Sequence, residues 1–216
     1  EIDAILLRTN RLGSELILKM KNLKVVSRHG VGYDNVDLQT LSSMNIPLTI
    51  VGDEISQTVA EHAFMLTIVM AKNLLQYDQS VRKGSWHYRN SQESMDLFGK
   101  NLLIIGLGKI GIKYASLAKA FGMKISAFDP FVSMGIFKNN NIKFCDDLHE
   151  GLKEADIISL HTPKPKKPII GENEFKILKK NSILVNTSRG NAIDEKYLIH
   201  ALNDCRIKGA ALDVFM

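Results

Sequence analysis

The chain has 216 residues, 45% of them hydrophobic and 24% charged, the balance of an ordinary globular protein; at roughly 150 residues per domain this allows one large domain or two small ones. The formal net charge is +5, yet the densest basic cluster, Lys164, Lys166 and Lys167, is broken by prolines and reads as a solvated loop, not a nucleic-acid surface. The longest apolar stretch, residues 63–71, is too short to span a bilayer, the N-terminus lacks a signal-peptide layout, and Cys145 and Cys205 stand far apart with no metal-like spacing. The expectation is a cytoplasmic protein with reduced thiols and no membrane, metal or nucleic-acid partner.

In chain order, Ala4 to Leu7, Val25 to Ser27 and Pro47 to Ile50 are short apolar runs separated by helical or turn segments, which predicts a small α/β unit. A long helix follows. Ser56 or Thr58 can cap it, Thr58 and Glu61 having capping-box spacing, and Val59, Phe64, Met65, Leu66, Ile68, Val69 and Met70 occupy more than one face; such a helix is expected to be buried on several sides, between two units or in a dimer interface.

The most informative segment is Gly106-Leu107-Gly108-Lys109-Ile110-Gly111, directly after the apolar run Leu102 to Ile105. A buried parallel strand ends where the glycines start. The first glycine permits the tight turn, the second lets backbone approach a pyrophosphate, and the third lets helix pack on strand, with the phosphates on the helix N-terminus. Ile110, Tyr114, Leu117 and Phe121 then recur at helical spacing, and Ile125 to Phe128 forms a second strand that delivers Asp129 to where a ribose 2′-hydroxyl would lie. A carboxylate there accepts from a diol and repels a 2′-phosphate. Pro130, Phe131 and Val132 supply no compensating Arg, so NAD is expected over NADP. Asn139, Asn140 and Asn141 read as a turn, and the runs Ile157 to Leu160, Ile183 to Val185 and Ala210 to Val214, each after a plausible helix, complete a doubly wound pattern.

Several motifs together resemble the D-isomer-specific 2-hydroxyacid dehydrogenases over nearly the whole chain: Arg28-His29-Gly30-Val31-Gly32-Tyr33-Asp34-Asn35-Val36-Asp37, Val59-Ala60-Glu61-His62, the Gly106 to Gly111 turn, Asp129-Pro130, His161-Thr162-Pro163, Asn186-Thr187-Ser188-Arg189-Gly190 and Ala211-Leu212-Asp213-Val214-Phe215. The resemblance implies an α/β protein of two Rossmann-like doubly wound domains, with the active site in the cleft between them, and a homodimer. It assigns residues 1–75 to a substrate domain with a linking helix and 76–216 to an NAD-binding domain, both incomplete in this chain. It also implies that Thr162 lies beside the cofactor, with His161 and Pro163 in the same segment, that Thr187 and Ser188 line the nicotinamide side, and that Asp213 holds the carboxamide.

Two of the implied roles have a physical reading of their own. Arg189 follows a central strand, and its guanidinium, charged at any working pH, can grip a 2-oxo acid bidentately. Gly30-Val31-Gly32 resembles the family's substrate loop, where backbone N–H groups bind the carboxylate. On the residues alone, the alternatives are that Arg189 caps a turn and that the Gly30 loop is a plain strand-to-helix turn. His161, His62 and His29 are expected to be structural or cofactor-proximal. The family's catalytic Glu and His would fall after Met216, so the sequence is expected to be part of a chain near 300 residues; Ile50-Val51-Gly52 also stands where relatives show Asn-Thr-Pro. The expected reaction is reversible hydride transfer between NAD and a D-2-hydroxy acid. Arg28 resembles the phosphoglycerate dehydrogenase branch, which serves serine biosynthesis; the alternatives are a glyoxylate or hydroxypyruvate reductase and a non-catalytic, NAD-responsive corepressor-like scaffold.

Overall fold

The computed structural model describes residues 2–91 and 93–216. They divide into two compact units, Glu1–Ile55 and Ser56–Met216.

In the first unit, β1 (Ala4–Leu7), α1 (Ser14–Lys19), β2 (Val25–Arg28), α2 (Leu38–Ser43) and β3 (Leu48–Ile50) alternate, and the strands form a parallel sheet in the order β1-β2-β3. Ile5 and Leu7 pack with Val26, Ile17 and Leu41 in the core, whereas Leu6 is 79% exposed, the two-residue period of a strand covered on one face. Asp37 starts α2 by accepting from the Thr40 N–H at 3.0 Å, and Asn45 takes φ 55° to turn the chain towards β3. Strand order here follows chain order in a parallel α/β layout, as expected for this unit.

The second unit begins with α3 (Ser56–Ala71) and α4 (Leu74–Arg82), followed by a 3₁₀ turn at Trp86–Asn90. Then come β4 (Asn101–Ile105), α5 (Lys109–Ala120), β5 (Lys124–Phe128), α6 (Met134–Asn139), β6 (Lys143–Phe144), α7 (Leu148–Glu154), β7 (Ile157–Leu160), α8 (Glu172–Ile177), β8 (Ile183–Asn186), α9 (Glu195–Asn203) and β9 (Gly209–Leu212). All six strands are parallel, in the order β6-β5-β4-β7-β8-β9. That is the order of a dinucleotide-binding sheet, and it reverses between β4 and β7, where such sheets open a crevice at their carboxyl ends. Leu102 and Ile104 bury towards α3 and α5, while Leu103 and Ile105 bury towards α7, α8 and α9. Helices therefore cover both faces, which is why β4 reads as an unbroken apolar run.

Helix α3 departs from expectation in its start and in the stripe it buries. It starts at Ser56, which places Thr58 inside the helix; Glu61 accepts from the Gln57 side chain at 2.9 Å in place of a capping box. It buries Ser56, Ala60, Ala63, Phe64, Thr67 and Ala71, a stripe of mostly small side chains, and leaves Met65 exposed. Small residues let α3 lie close against α5, with Phe64 edge-on to Tyr114 at 5.8 Å and to Phe121 at 4.9 Å, a geometry aromatic rings favour. The helix packs within the second compact unit, which begins at Ser56.

Candidate functional site

Because the six strands are parallel, the residues following β4, β5, β7, β8 and β9 gather along one edge of the sheet. The turn after β4 is set by glycine. Gly106 has φ 95°, and a Cβ there would sit 2.8 Å from the His161 carbonyl oxygen and 3.0 Å from the Thr162 methyl; a Cβ on Gly111 would fall 2.3 Å from the Gly106 oxygen. Strand, turn and helix meet too closely for any side chain. Gly108 differs: nothing lies within 4 Å of its Cβ position. It is the N-cap of α5, with no side chain capping the first turn that Lys109, Ile110 and Gly111 begin. An uncapped helix start beside an open glycine is an anion site, since the first-turn N–H groups lack intrahelical partners and the helix dipole favours negative charge.

Asp129 stands at the end of β5. Its Oδ2 accepts from the Leu107 N–H at 2.8 Å and its Oδ1 from the Phe131 N–H at 2.9 Å. The carboxylate thus clasps the phosphate turn to the neighbouring strand, and each oxygen keeps lone-pair capacity for a diol. Phe131 is 94% exposed.

His161, Thr162 and Pro163 follow β7. The His161 N–H continues the ladder to the Ile105 carbonyl at 2.8 Å, and Nε2 lies 2.9 Å from Ser159 Oγ. Burial pushes the imidazole pKa down to about 3, so the ring is neutral and is not a proton donor at neutral pH. The Thr162 and Thr187 hydroxyls, on the loops after the adjacent strands β7 and β8, are buried without a hydrogen-bond partner. Buried polar atoms are nearly always paired, so these two fit a ligand that supplies the missing partners. Together with the open glycine turn they make the edge suited to a dinucleotide.

The loop after β8 is organised by a residue that sequence reasoning missed. Buried Asn186 donates to the Arg189 carbonyl at 2.9 Å and accepts from the Ser188 N–H at 3.0 Å and the Ser188 hydroxyl at 2.7 Å. The signal was an Asn closing an apolar strand, a side chain that builds Asx turns. Ser188 is buried, and its hydroxyl, donating to Asn186, braces the loop. Arg189 leaves the strand in extended conformation, partly buried, with Nη1 donating to the Ser188 carbonyl at 2.7 Å. At the end of β9, the Asp213 N–H bonds the Asn186 carbonyl at 3.0 Å, and its carboxylate lies 3.5 Å from His62 Nε2 on α3.

Arg28, Gly30, Val31 and Gly32 belong to the first unit. Arg28 ends β2 and folds back over Gly30, donating to the His29 carbonyl at 2.6 Å. Gly30 has φ 152°, and its Cβ position coincides with the guanidinium, 1.3 Å from Nη1; the glycine gives the side chain its place. Arg28 Nε is buried without a hydrogen-bond partner, and the loop is tied to the chain after β3 by the Val51 N–H on the Gly30 carbonyl at 3.2 Å.

Family models agree with this geometry. The NAD-binding domain of the D-isomer specific 2-hydroxyacid dehydrogenases matches residues 64–216, and their catalytic domain matches residues 1–97. A D-3-phosphoglycerate dehydrogenase from Methanocaldococcus jannaschii is 38% identical over 218 residues, aligned with 100% of this chain and 41% of its own. A glyoxylate reductase from Korarchaeum cryptofilum is 34% identical over 221 residues, covering 100% of this chain and 66% of its own; the chain thus spans less than two thirds of the length of either relative. Among solved structures, D-lactate dehydrogenase from Aquifex aeolicus, complexed with NAD and lactic acid, superposes with a TM-score of 0.90 at 31% identity, covering 100% of this chain and 65% of that one.

Proposed function

The chain belongs to the D-isomer specific 2-hydroxyacid dehydrogenase family, and on that premise we propose that the protein transfers hydride reversibly between NAD and a D-2-hydroxy acid. The observation that carries the proposal is the α5 N-terminus, open at Gly108 and clasped by Asp129. Bound there, the nicotinamide cofactor would supply or accept the hydride at the C2 carbon of the acid.

In this reading Gly106, Gly108, Lys109, Ile110 and Gly111 hold the pyrophosphate, Asp129 takes the ribose diol, and Thr162, Thr187 and Asp213 hold the nicotinamide end. His161 and Pro163 form a wall of the groove. Arg189 grips the 2-oxo acid carboxylate and polarises the carbonyl, the task a charged fork suits. The first unit carries substrate-selecting groups: the N–H groups of Gly30, Val31 and Gly32, and Arg28, whose unpartnered Nε supports an anionic, phosphate-bearing acid of the 3-phosphoglycerate type and a place in serine biosynthesis in the cytoplasm. The reductase reading predicts glyoxylate or hydroxypyruvate instead. Assay of the full-length protein with NADH and phosphohydroxypyruvate, hydroxypyruvate or glyoxylate decides between them. NADH binding without turnover of any 2-oxo acid would favour the corepressor-like scaffold.

A homodimer completes the proposal. Met65 on α3 and Leu74, Leu75 and Val81 on α4 are exposed apolar side chains, surface that a second copy would cover. Sedimentation of the full-length protein tests it, with Leu75→Lys expected to shift the mass towards the monomer.

A further inference from the structure

One buried side chain holds the loop that carries Arg189. Asn186 closes β8 and is 1% exposed, so it offers no surface to a ligand. Its amide is engaged at both ends. Nδ2 donates to the Arg189 carbonyl at 2.9 Å, and Oδ1 accepts from the Ser188 N–H at 3.0 Å and from the Ser188 hydroxyl at 2.7 Å. The two backbone partners fix the orientation of the amide, because an N–H only donates and a carbonyl only accepts. Turning it over would set donor against donor and acceptor against acceptor. The Arg189 carbonyl is held a second time, by the Ala192 N–H at 3.1 Å, and the Ser188 carbonyl accepts from Arg189 Nη1 at 2.7 Å. The guanidinium therefore leans on a residue that Asn186 itself holds.

Behind Asn186 stands the sheet. The residue pairs with Leu160 of β7 and Leu212 of β9, and its own carbonyl accepts from the Asp213 N–H at 3.0 Å. On the far side of Arg189, a Cβ on Gly190 would collide with the Phe215 carbonyl, so the chain after β9 fills the space the loop would otherwise shift into. A long Arg side chain has much rotamer freedom to lose, and a bidentate grip depends on where its backbone stands and which way the side chain leaves it. We propose that Asn186 is the positioning residue for Arg189: by tying Ser188 and the Arg189 carbonyl to the end of β8, its amide sets the guanidinium for a bidentate grip on the 2-oxo acid. The proposal rests on the reading of Arg189 as the group that grips the acid.

The test is a double-substitution cycle in the full-length protein. It reads kcat/KM for phosphohydroxypyruvate, hydroxypyruvate or glyoxylate, the oxamate Kd with NADH bound, and the NADH Kd; the oxamate Kd carries the cycle alone if none of the three acids turns over. Asn186→Ser adds no charge and leaves a single hydroxyl where the amide spanned three partners. Alone it should lower kcat/KM about 10- to 100-fold, the scale of a group displaced by an ångström, weaken oxamate, and keep the NADH Kd within about 3-fold. In an Arg189→Lys background it should cost no more than about 3-fold further, because the fork it positions is gone. Parent-like kcat/KM in Asn186→Ser, or losses that multiply in the double variant, overturn the positioning role. So does an NADH Kd that rises with the oxamate Kd, the mark of a loop disordered as a whole. Should Asn186→Ser fail to fold, Ser188→Ala carries the same cycle: it deletes one bond to Oδ1, keeps the Ser188 N–H, and should give a smaller loss that vanishes in the Arg189→Lys background. No loss, a loss that persists there, or one confined to NADH binding overturns the proposal. Parent-like kcat/KM and oxamate affinity in Arg189→Lys alone, or a parent that neither turns over a 2-oxo acid nor binds oxamate, overturns the reading of Arg189 and the proposal with it, and neither result resembles a multiplicative cycle.

Discussion

Replacing Gly108 by alanine separates folding from binding in the glycine turn. Its backbone is extended, φ −77° and ψ −165°, which any L-residue adopts, and the new methyl would meet nothing within 4 Å. The folded state is not strained, and the unfolded chain loses freedom, so stability should stay level or rise by up to about 1 kcal/mol. The same methyl projects into the open space at the α5 N-terminus. If a pyrophosphate approaches backbone there, the variant loses one or two charge-assisted hydrogen bonds at about 1.5 to 3 kcal/mol each, which weakens NADH binding by at least ~10-fold. Gly111→Ala is the contrast, because its Cβ would stand 2.3 Å from the Gly106 oxygen and neither strand nor helix can yield cheaply; it should destabilise by about 1 to 3 kcal/mol. Urea unfolding and NADH titration of both variants give the four numbers required. Parent-like NADH affinity in Gly108→Ala would refute the cradle.

Arg189→Lys keeps the charge but not the fork, and should lower kcat/KM by about 10- to 150-fold with NADH affinity little changed; loss of NADH binding with affinity for oxamate retained would instead place Arg189 on the cofactor side. Asp129→Ser should narrow any preference for NADH over NADPH, measured as the ratio of the two Kd values, and an unchanged ratio would remove Asp129 from the ribose site. His161, held at about 3 against about 6.5 in an unfolded chain, gives a pH dependence whose sign is fixed. Below pH 6.5 the unfolded chain binds a proton that the folded one refuses, so stability is full above that pH and falls as pH drops towards 3. Between pH 7 and 5 the loss is about 2 kcal/mol. Urea unfolding should show that loss in the parent beyond whatever His161→Gln shows, and parallel curves for the two proteins would contradict it.

The parts of the site legible in the sequence were those with local causes. Gly106 and Gly111 announce themselves because φ 95° and a 2.3 Å approach exclude side chains, and Asp129 because a strand end fixes its place. What stayed hidden was relational. Apolar periodicity assigned the large residues of α3 to the core, including Val59, Met65 and Val69, whereas of the large ones only Phe64 joins the buried stripe of Ser56, Ala60, Ala63, Thr67 and Ala71; close helix packing selects small side chains, which a hydrophobicity count undervalues. Tyr114 read as one more apolar position on α5, yet its hydroxyl meets Thr67, 47 residues away. The tie of Ser188 to Asn186, two residues earlier, was equally out of reach of a reading by residue type.

The clasp made by Asp129 bears on how such a protein could change its cofactor. The carboxylate that would discriminate between the two nicotinamide dinucleotides is also the acceptor for the Leu107 N–H within the glycine turn. A substitution at residue 129 aimed at admitting a 2′-phosphate therefore removes a partner from a buried backbone donor at the same stroke, and loosens the very turn that both cofactors share. Selectivity and grip are carried by one side chain. Redesign has to supply a second acceptor for Leu107 before, or together with, any cation for the added phosphate, and a single-residue swap is expected to give a weak binder of both dinucleotides.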